Sequence, residues 1–286
     1  MPPSAIALTA LLCASWALAQ VGMKIAGEAI PPLIQAGLRS ALAIPLLLAW
    51  CAWRGVVVLR RDGTLGPGAL AGALFALEFW ALFAALNLTA ASRATALLYT
   101  APFFAMLGAH WLVPGDRMSA RKVGGMLLAF AGVLLAFADR LDASGAELAG
   151  DLLAVLAGAL WGATLVTIKA TKLTLIAPER TLLYQLAASA LLLPLGLALG
   201  ERISGTASAT SWAWLAYQVV GVAFAGYAAW FWLVARYKAS LLAPFLFLTP
   251  VFGLIFGGLI LGEPLTWPLA GAVLLIGAGI TLCNRR

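Results

Sequence analysis

Ten runs of roughly twenty residues, each nearly free of charge, leave this chain little to fold into except helices that cross a lipid bilayer. They lie near residues 4–24, 31–53, 66–88, 91–112, 119–138, 148–170, 178–199, 211–234, 239–261 and 264–283. A soluble domain is roughly 25% charged, whereas these 286 residues are 10% charged and 63% hydrophobic, with a mean hydropathy of +1.00. Lipid offers the backbone no hydrogen bonds, so each run is expected to be an α-helix that satisfies its own. The turn-rich segments between runs, such as Gly27 to Pro32, Arg60 to Pro67 and Glu201 to Thr210, are too short to hold a soluble domain.

The net charge of +7 has its explanation in topology rather than in nucleic acid binding. With the N-terminus in the cytoplasm, thirteen Lys and Arg residues fall inside and four outside (Lys24, Arg93, Arg140 and Arg202), with Arg39 inside a span. That is a positive-inside bias. The acidic stretch around Asp139, Asp142, Glu147 and Asp151 then lies on the outer face, and both termini are cytoplasmic.

The first half of the chain is echoed in the second at a nearly constant offset. Trp16 and Lys24 return as Trp161 and Lys169, and Ser40-Ala41-Leu42 with Pro45 returns as Ser189-Ala190-Leu191 with Pro194. Phe75-Ala76 returns as Phe224-Ala225, and Ala91-Ser92 with Pro102 as Ala239-Ser240 with Pro250. Asp116, Gly124 and Gly132 return as Glu263, Gly271 and Gly279. Matches in chain order at shifts of 145 to 149 indicate a duplicated unit. Five spans per copy make the copies face opposite ways, an arrangement found in secondary transporters.

Enzyme chemistry finds little support. His110 is the only histidine, which removes HExxH-type zinc sites. Cys13, Cys51 and Cys283 lie in or beside apolar runs without metal-site spacing. Nucleophile-elbow, phosphate-loop and dinucleotide motifs are absent. A Ser–Lys intramembrane hydrolase is the remaining enzymatic alternative. Neither a cofactor nor a metal is expected. Ala17-Leu18-Ala19 resembles a signal-peptide cleavage site, but no Lys or Arg precedes it and the same stretch is echoed internally around Trp161.

Polar residues inside the spans mark the candidate site, because an ionised side chain at the centre of a helix costs at least about 2.5–3.5 kcal/mol on insertion scales. Glu78 sits near the middle of the third span with no basic residue a turn away. It reads either as a group facing substrate or carrying a proton, or as a structural carboxyl tied to Arg39. Arg39 in turn reads as a partner for Glu78, a substrate carboxylate binder, or a snorkelling side chain. Trp16, Gln20 and Lys24 share one face of the first span. Gln20 needs partners that lipid lacks, so that face turns inward. Lys24 and Lys169 read as interfacial anchors. Tyr99 lies three residues before Pro102 and aligns with Phe247 before Pro250; Glu78 aligns with Tyr227. Glycines at 124, 125, 132, 253, 257, 258, 271, 277 and 279 allow close helix packing.

Two five-span units, each with a fourth span kinked by a proline, a short acidic turn and a glycine-rich last helix, resemble the EamA repeats of the drug/metabolite transporter superfamily. The resemblance rests on Ala91-Ser92 through Pro102 with Gly124 and Gly132, on Ala239-Ser240 through Pro250 with Gly262-Glu263-Pro264 and Gly271, and on Leu38-Arg39-Ser40-Ala41. It departs from symmetry where Asp116 faces Glu263 and where Ala188 occupies the place of Arg39. Similarity to exporters of the YddG type implies a central cavity between inverted halves and export of amino acids or related metabolites. The expected architecture is an all-α integral membrane protein of ten helices, with one repeat over 1–140 and an inverted one over 147–286. Trp16, Gln20, Glu78, Tyr99, Trp161, Tyr227 and Phe247 are expected to contact substrate, with Gln20 and Glu78 as its polar anchors. The expected setting is the cell inner membrane, as a monomer or homodimer, with small-molecule substrate and lipid as partners and no nucleic acid. The competing function is export of hydrophobic cations, held by Glu78 and by cation–π contacts.

Overall fold

Proline decides where many helices of this chain start and break. The computed structural model describes residues 2–58, 60–114, 119–138, 145–205, 207–237, 245–246 and 248–284. Helix α1 (Pro3–Gly27) and α2 (Pro32–Arg54) both open on a proline, whose missing N–H would be unpaired in a first turn anyway. Helix α2 runs through Pro45 and ends at Gly55, whose φ of 69° is left-handed. There the Val56 N–H reaches the Cys51 carbonyl and the Gly55 N–H reaches that of Ala52, a Schellman stop. Helix α3 spans Leu65–Leu88.

The fourth run, expected as one helix kinked at its proline, is two helices: α4 (Ala91–Leu98) and α5 (Ala101–Leu112). Pro102 supplies the reason, since it cannot bond to the carbonyl four residues back, which is that of Leu98. The seventh run breaks in the same register. After α6 (Ala120–Ala138), α7 (Gly145–Ala170) and a 3₁₀ turn over Lys172–Leu175, α8 (Pro178–Ala190) stops four residues before Pro194 and α9 (Leu192–Ala198) follows. Its echo in α2, Pro45, leaves the helix continuous.

The eighth run changes pitch along its length. Helix α10 (Ala209–Ala216) passes into a π-helical stretch, Tyr217–Gly226, before α11 (Tyr227–Arg236). Helices α12 (Leu248–Leu261) and α13 (Trp267–Asn284) complete the chain. Residues 238–244 and Phe247, at the start of the ninth run, lie outside the described residues. No strand occurs among the described residues. Helices α1, α2, α3 and α7 and the stretch Pro178–Ala198 are each long and apolar enough to cross a membrane.

Helix neighbours come in matching sets. Helix α1 packs on α12, as α7 packs on α5 and α4; α3 packs on α7, as α1 packs on α10 and the π segment. Helix α2 lies against α8 and α9, and α6 against α13. The echoed serines meet, with the Ser40 hydroxyl donating to Ser189 Oγ at 2.9 Å across α2 and α8. Close approach depends on glycine. A Cβ on Gly158 would lie 2.8 Å from the Leu98 carbonyl oxygen, and one on Gly162 2.8 Å from that of Ala101, so α7 rests on the backbone around the α4–α5 break. Gly132 of α6 meets the Ala272 carbonyl of α13 in the same way, at 2.8 Å. Phe75, Phe79 and Phe83 form a ladder along the buried face of α3, with centroids 4.7 and 6.1 Å apart.

Candidate substrate site

Arg39 lies seven residues into α2 and Glu78 ten residues before the end of α3, about 10 and 15 Å from those helix ends at 1.5 Å per residue. They are close enough to act on each other electrostatically, and Tyr227 on the first turn of α11 is in range of both. Arg39 is 1% exposed, so it does not snorkel. Its guanidinium carbon sits 3.6 Å from the centroid of the Phe79 ring, a cation–π contact. Such a contact is worth about 2 kcal/mol when desolvated, less than an unpaired charge in hydrocarbon costs. Nε and Nη2 of Arg39 have no hydrogen-bond partner among the described residues, and neither has Oε2 of the 5%-exposed Glu78. The structure thus brings both charges together but joins them by no direct ion pair.

Aromatic side chains gather beside this pair. Trp16 meets Trp230 of α11 edge-on, with centroids 5.6 Å apart. Gly226 lies alongside it, since a Cβ there would lie 3.4 Å from the Trp16 indole nitrogen, in van der Waals contact. Tyr99, at the α4–α5 break, meets Trp161 of α7 edge-on at 5.5 Å. Tyr99 also lies within electrostatic range of Tyr227. Trp16, Trp161 and Tyr227 are half-buried, whereas Tyr99 is buried. Of the residues expected from sequence, Glu78, Tyr99, Trp161, Tyr227 and Trp16 therefore gather around one region, joined by Arg39 and Trp230. Gln20 accepts a hydrogen bond from the Thr95 hydroxyl at 2.6 Å and ties α1 to α4. Phe247 lies outside the described residues.

The π segment adds a feature with no sequence signature. Gln218 is fully buried on it, and neither atom of its amide has a partner among the described residues. Insertions of π geometry often mark functional positions, because they displace side chains from helical register.

Polar clusters occupy the two ends of the helices. On the side where α3 ends and α4 begins, the Arg93 guanidinium grips Asp151 side-on, with Nη2 to Oδ2 at 2.6 Å and Nε to Oδ2 at 3.2 Å. The Thr89 hydroxyl donates to Asp151 Oδ1 at 2.7 Å. Close by, the Glu263 carboxylate accepts the Ala91 and Ser92 N–H groups at 2.6 and 2.9 Å, capping α4, and lies 3.7 Å from the Lys24 ammonium. Lys24 is thus a cross-helix partner as well as a residue at a span end. Glu201 caps α2 likewise, accepting from Ile34 N–H at 3.0 Å. At the opposite end, Arg180 pairs with Asp62 at 2.7 Å, and the Thr64 hydroxyl donates to the same carboxylate at 2.6 Å. Arg180 and Thr64 hold the Asp62 carboxyl well below the usual carboxylate range. A groove of about 650 Å³ opens beside it, lined by Arg60, Arg61, Lys172 and Arg180, and does not extend to the mid-depth cluster.

The EamA-like transporter family matches this chain twice, over residues 3–138 and 148–285. The chain is 30% identical to an uncharacterized transporter of Archaeoglobus fulgidus, over 98% of this chain and 96% of that protein. It is 30% identical to a probable amino-acid metabolite efflux pump of Escherichia coli and 29% identical to one of Salmonella typhimurium. Both matches cover 94% of this chain and 91% of the relative. A solved crystal structure superposes with a TM-score of 0.67 over 99% of this chain and 98% of its own, at 21% identity, a likeness of fold.

Proposed function

The chain belongs to the EamA-like transporter family and is a multi-pass membrane transporter rather than an enzyme; from that premise we propose that it exports amino acids or similar small amphipathic metabolites across the cell inner membrane. The observation that carries the substrate class is the buried Arg39–Glu78 pair, oppositely charged yet not closed on itself, beside an aromatic cluster at mid-depth. A small zwitterion with an apolar side chain complements both features. The relatives named as amino-acid metabolite efflux pumps support the same class. The competing export of hydrophobic cations fits less well, because a cation at Glu78 would enter the field of Arg39.

The mechanism proposed is alternating access between two inverted five-helix repeats, 1–140 and 147–286, with ten spans and both termini in the cytoplasm. The matching helix neighbours, the Ser40–Ser189 contact and the double family match support that arrangement. In it the Glu263, Lys24, Arg93 and Asp151 cluster lies on the outer face and the Asp62–Arg180 pair on the inner. Purified protein in liposomes should then show saturable flux of at least one member of a twenty-amino-acid panel. Absence of flux across the panel would sink the substrate class. Proton coupling through Glu78 is a separate element of the proposal. It predicts that Glu78→Gln abolishes the response of transport to a pH gradient; an unchanged response would remove that role from Glu78, and a wild-type protein without any such response would be a facilitated-diffusion carrier.

A further inference from the structure

Arg39 and Arg93 are both buried, and of the two only Arg93 has the Nε/Nη2 edge of its guanidinium filled by a partner among the described residues. Arg93 uses Nε and Nη2 to hold the Asp151 carboxylate side-on. In Arg39 the same two nitrogens, Nε and Nη2, are buried without a hydrogen-bond partner among the described residues. The guanidinium carbon of Arg39 lies 3.6 Å from the centroid of the Phe79 ring, and a hydrogen-bonding partner approaches in the guanidinium plane, along which the N–H groups point. A planar carboxylate is the group that matches two parallel N–H donors. Glu78, within electrostatic range, carries a carboxyl oxygen that is equally without a hydrogen-bond partner among the described residues.

We propose that the Nε/Nη2 edge of Arg39 receives the carboxylate of the transported molecule and that Glu78 receives its ammonium, so the protein reads the α-amino-acid head group as a zwitterion. This rests on the amino-acid reading above and deepens it. Charge balance supports the zwitterion over either ion alone. With Glu78 ionised the Arg39–Glu78 pair has no net charge, and a zwitterion lying antiparallel to it adds none. An amine would leave Arg39 uncompensated, and a carboxylic acid anion would do the same to Glu78, each at the cost of a charge in a low-dielectric interior. The aromatic cluster of Trp16, Tyr99, Trp161 and Tyr227 is left to meet the side chain. That division gives strict recognition of the head group and tolerance of the apolar remainder.

The test uses wild-type protein in liposomes, with counterflow of whichever amino acid of the panel is carried. The free amino acid competes, while its carboxamide and its decarboxylated amine are expected to compete about 10- to 100-fold more weakly, the range for losing a charge-assisted hydrogen-bond pair. Arg39→Gln is expected to flatten that preference, so that acid and amide compete alike, and Arg39→Lys to restore part of it. A purely structural arginine would lower all competitors together and leave their ratio unchanged. If wild-type protein carries amino acids but the amide and amine compete as well as the acid, the assignment of Arg39 is overturned while the transport reading stands. If no amino acid exchanges, the amino-acid reading itself fails.

Discussion

Arg93 and Arg39 differ by what meets the same chemical edge. Arg93 is the third residue of α4, near a helix end, and Asp151 from α7 closes on it, with the Thr89 hydroxyl also donating to that carboxylate. Arg39 lies a third of the way along α2, and the Glu78 carboxyl that acts on it electrostatically forms no ion pair with it. The first arrangement holds α4 to α7. The second leaves two opposite charges with open hydrogen-bonding capacity in a place where burying them is costly. A fold that needed only mechanical linkage would have brought Glu78 onto Arg39 as it brought Asp151 onto Arg93.

The contrast can be broken most sharply through stability. Asp151→Asn leaves a buried guanidinium without its counter-charge, and removing one partner of such a pair destabilises by about 3–5 kcal/mol. It should appear as a large drop in melting temperature of the purified protein. Next in size is the transport defect of Arg39→Gln, for which counterflow should show a half-saturating amino-acid concentration raised about 10- to 100-fold, with the melting temperature held or raised. Glu78→Gln should raise that concentration by a smaller factor, about 10-fold, since an amide still accepts a hydrogen bond from an ammonium. Gly162→Leu sharpens the packing side of the comparison, because its side chain would drive α7 off the Ala101 carbonyl. Overpacking of this kind costs about 1–3 kcal/mol, read as a lower melting temperature.

The smallest effect concerns the opposite end. The Asp62 carboxyl is depressed by Arg180 and Thr64, so its stabilising contribution is fully present above the unfolded value near pH 4 and is lost as pH falls through the lower folded value. The melting-temperature difference between wild type and Asp62→Asn should therefore be constant from about pH 5 to 8 and shrink in stronger acid.

Sequence was most informative where the physics is local. Apolar length located α1, α2, α3 and α7 to within a few residues, and Pro102 marked the site of the α4–α5 break, although the run was expected to bend rather than split. Glu78 stood out because its side chain is expensive at mid-depth, Tyr99 by its place three residues before Pro102, and Trp161 as the echo of Trp16. What was hidden depends on contacts distant along the chain. Arg93 and Asp151 are 58 residues apart, and each looks like an ordinary charge at a span end until α4 and α7 pack. The π stretch has no periodicity that apolar residues can report, since nearly every position is apolar. Arg39 was visible as a charge, but whether it snorkels, pairs with Glu78 or stays open is decided by Phe79 and by the burial of α2. Gln20 looked like a substrate anchor because its need for partners was plain, while the Thr95 hydroxyl that meets it was not.

The most direct measurement sets the two arginines side by side: melting temperature and amino-acid counterflow for Arg39→Gln and Arg93→Gln, made on the same purified preparations. The account predicts that Arg39→Gln melts at or above the wild-type temperature with transport lost or its preference for the free acid erased, while Arg93→Gln melts far lower. If Arg39→Gln melts as low as Arg93→Gln, or keeps both its affinity and its preference for the carboxylate, Arg39 is a structural charge and the head-group site lies elsewhere.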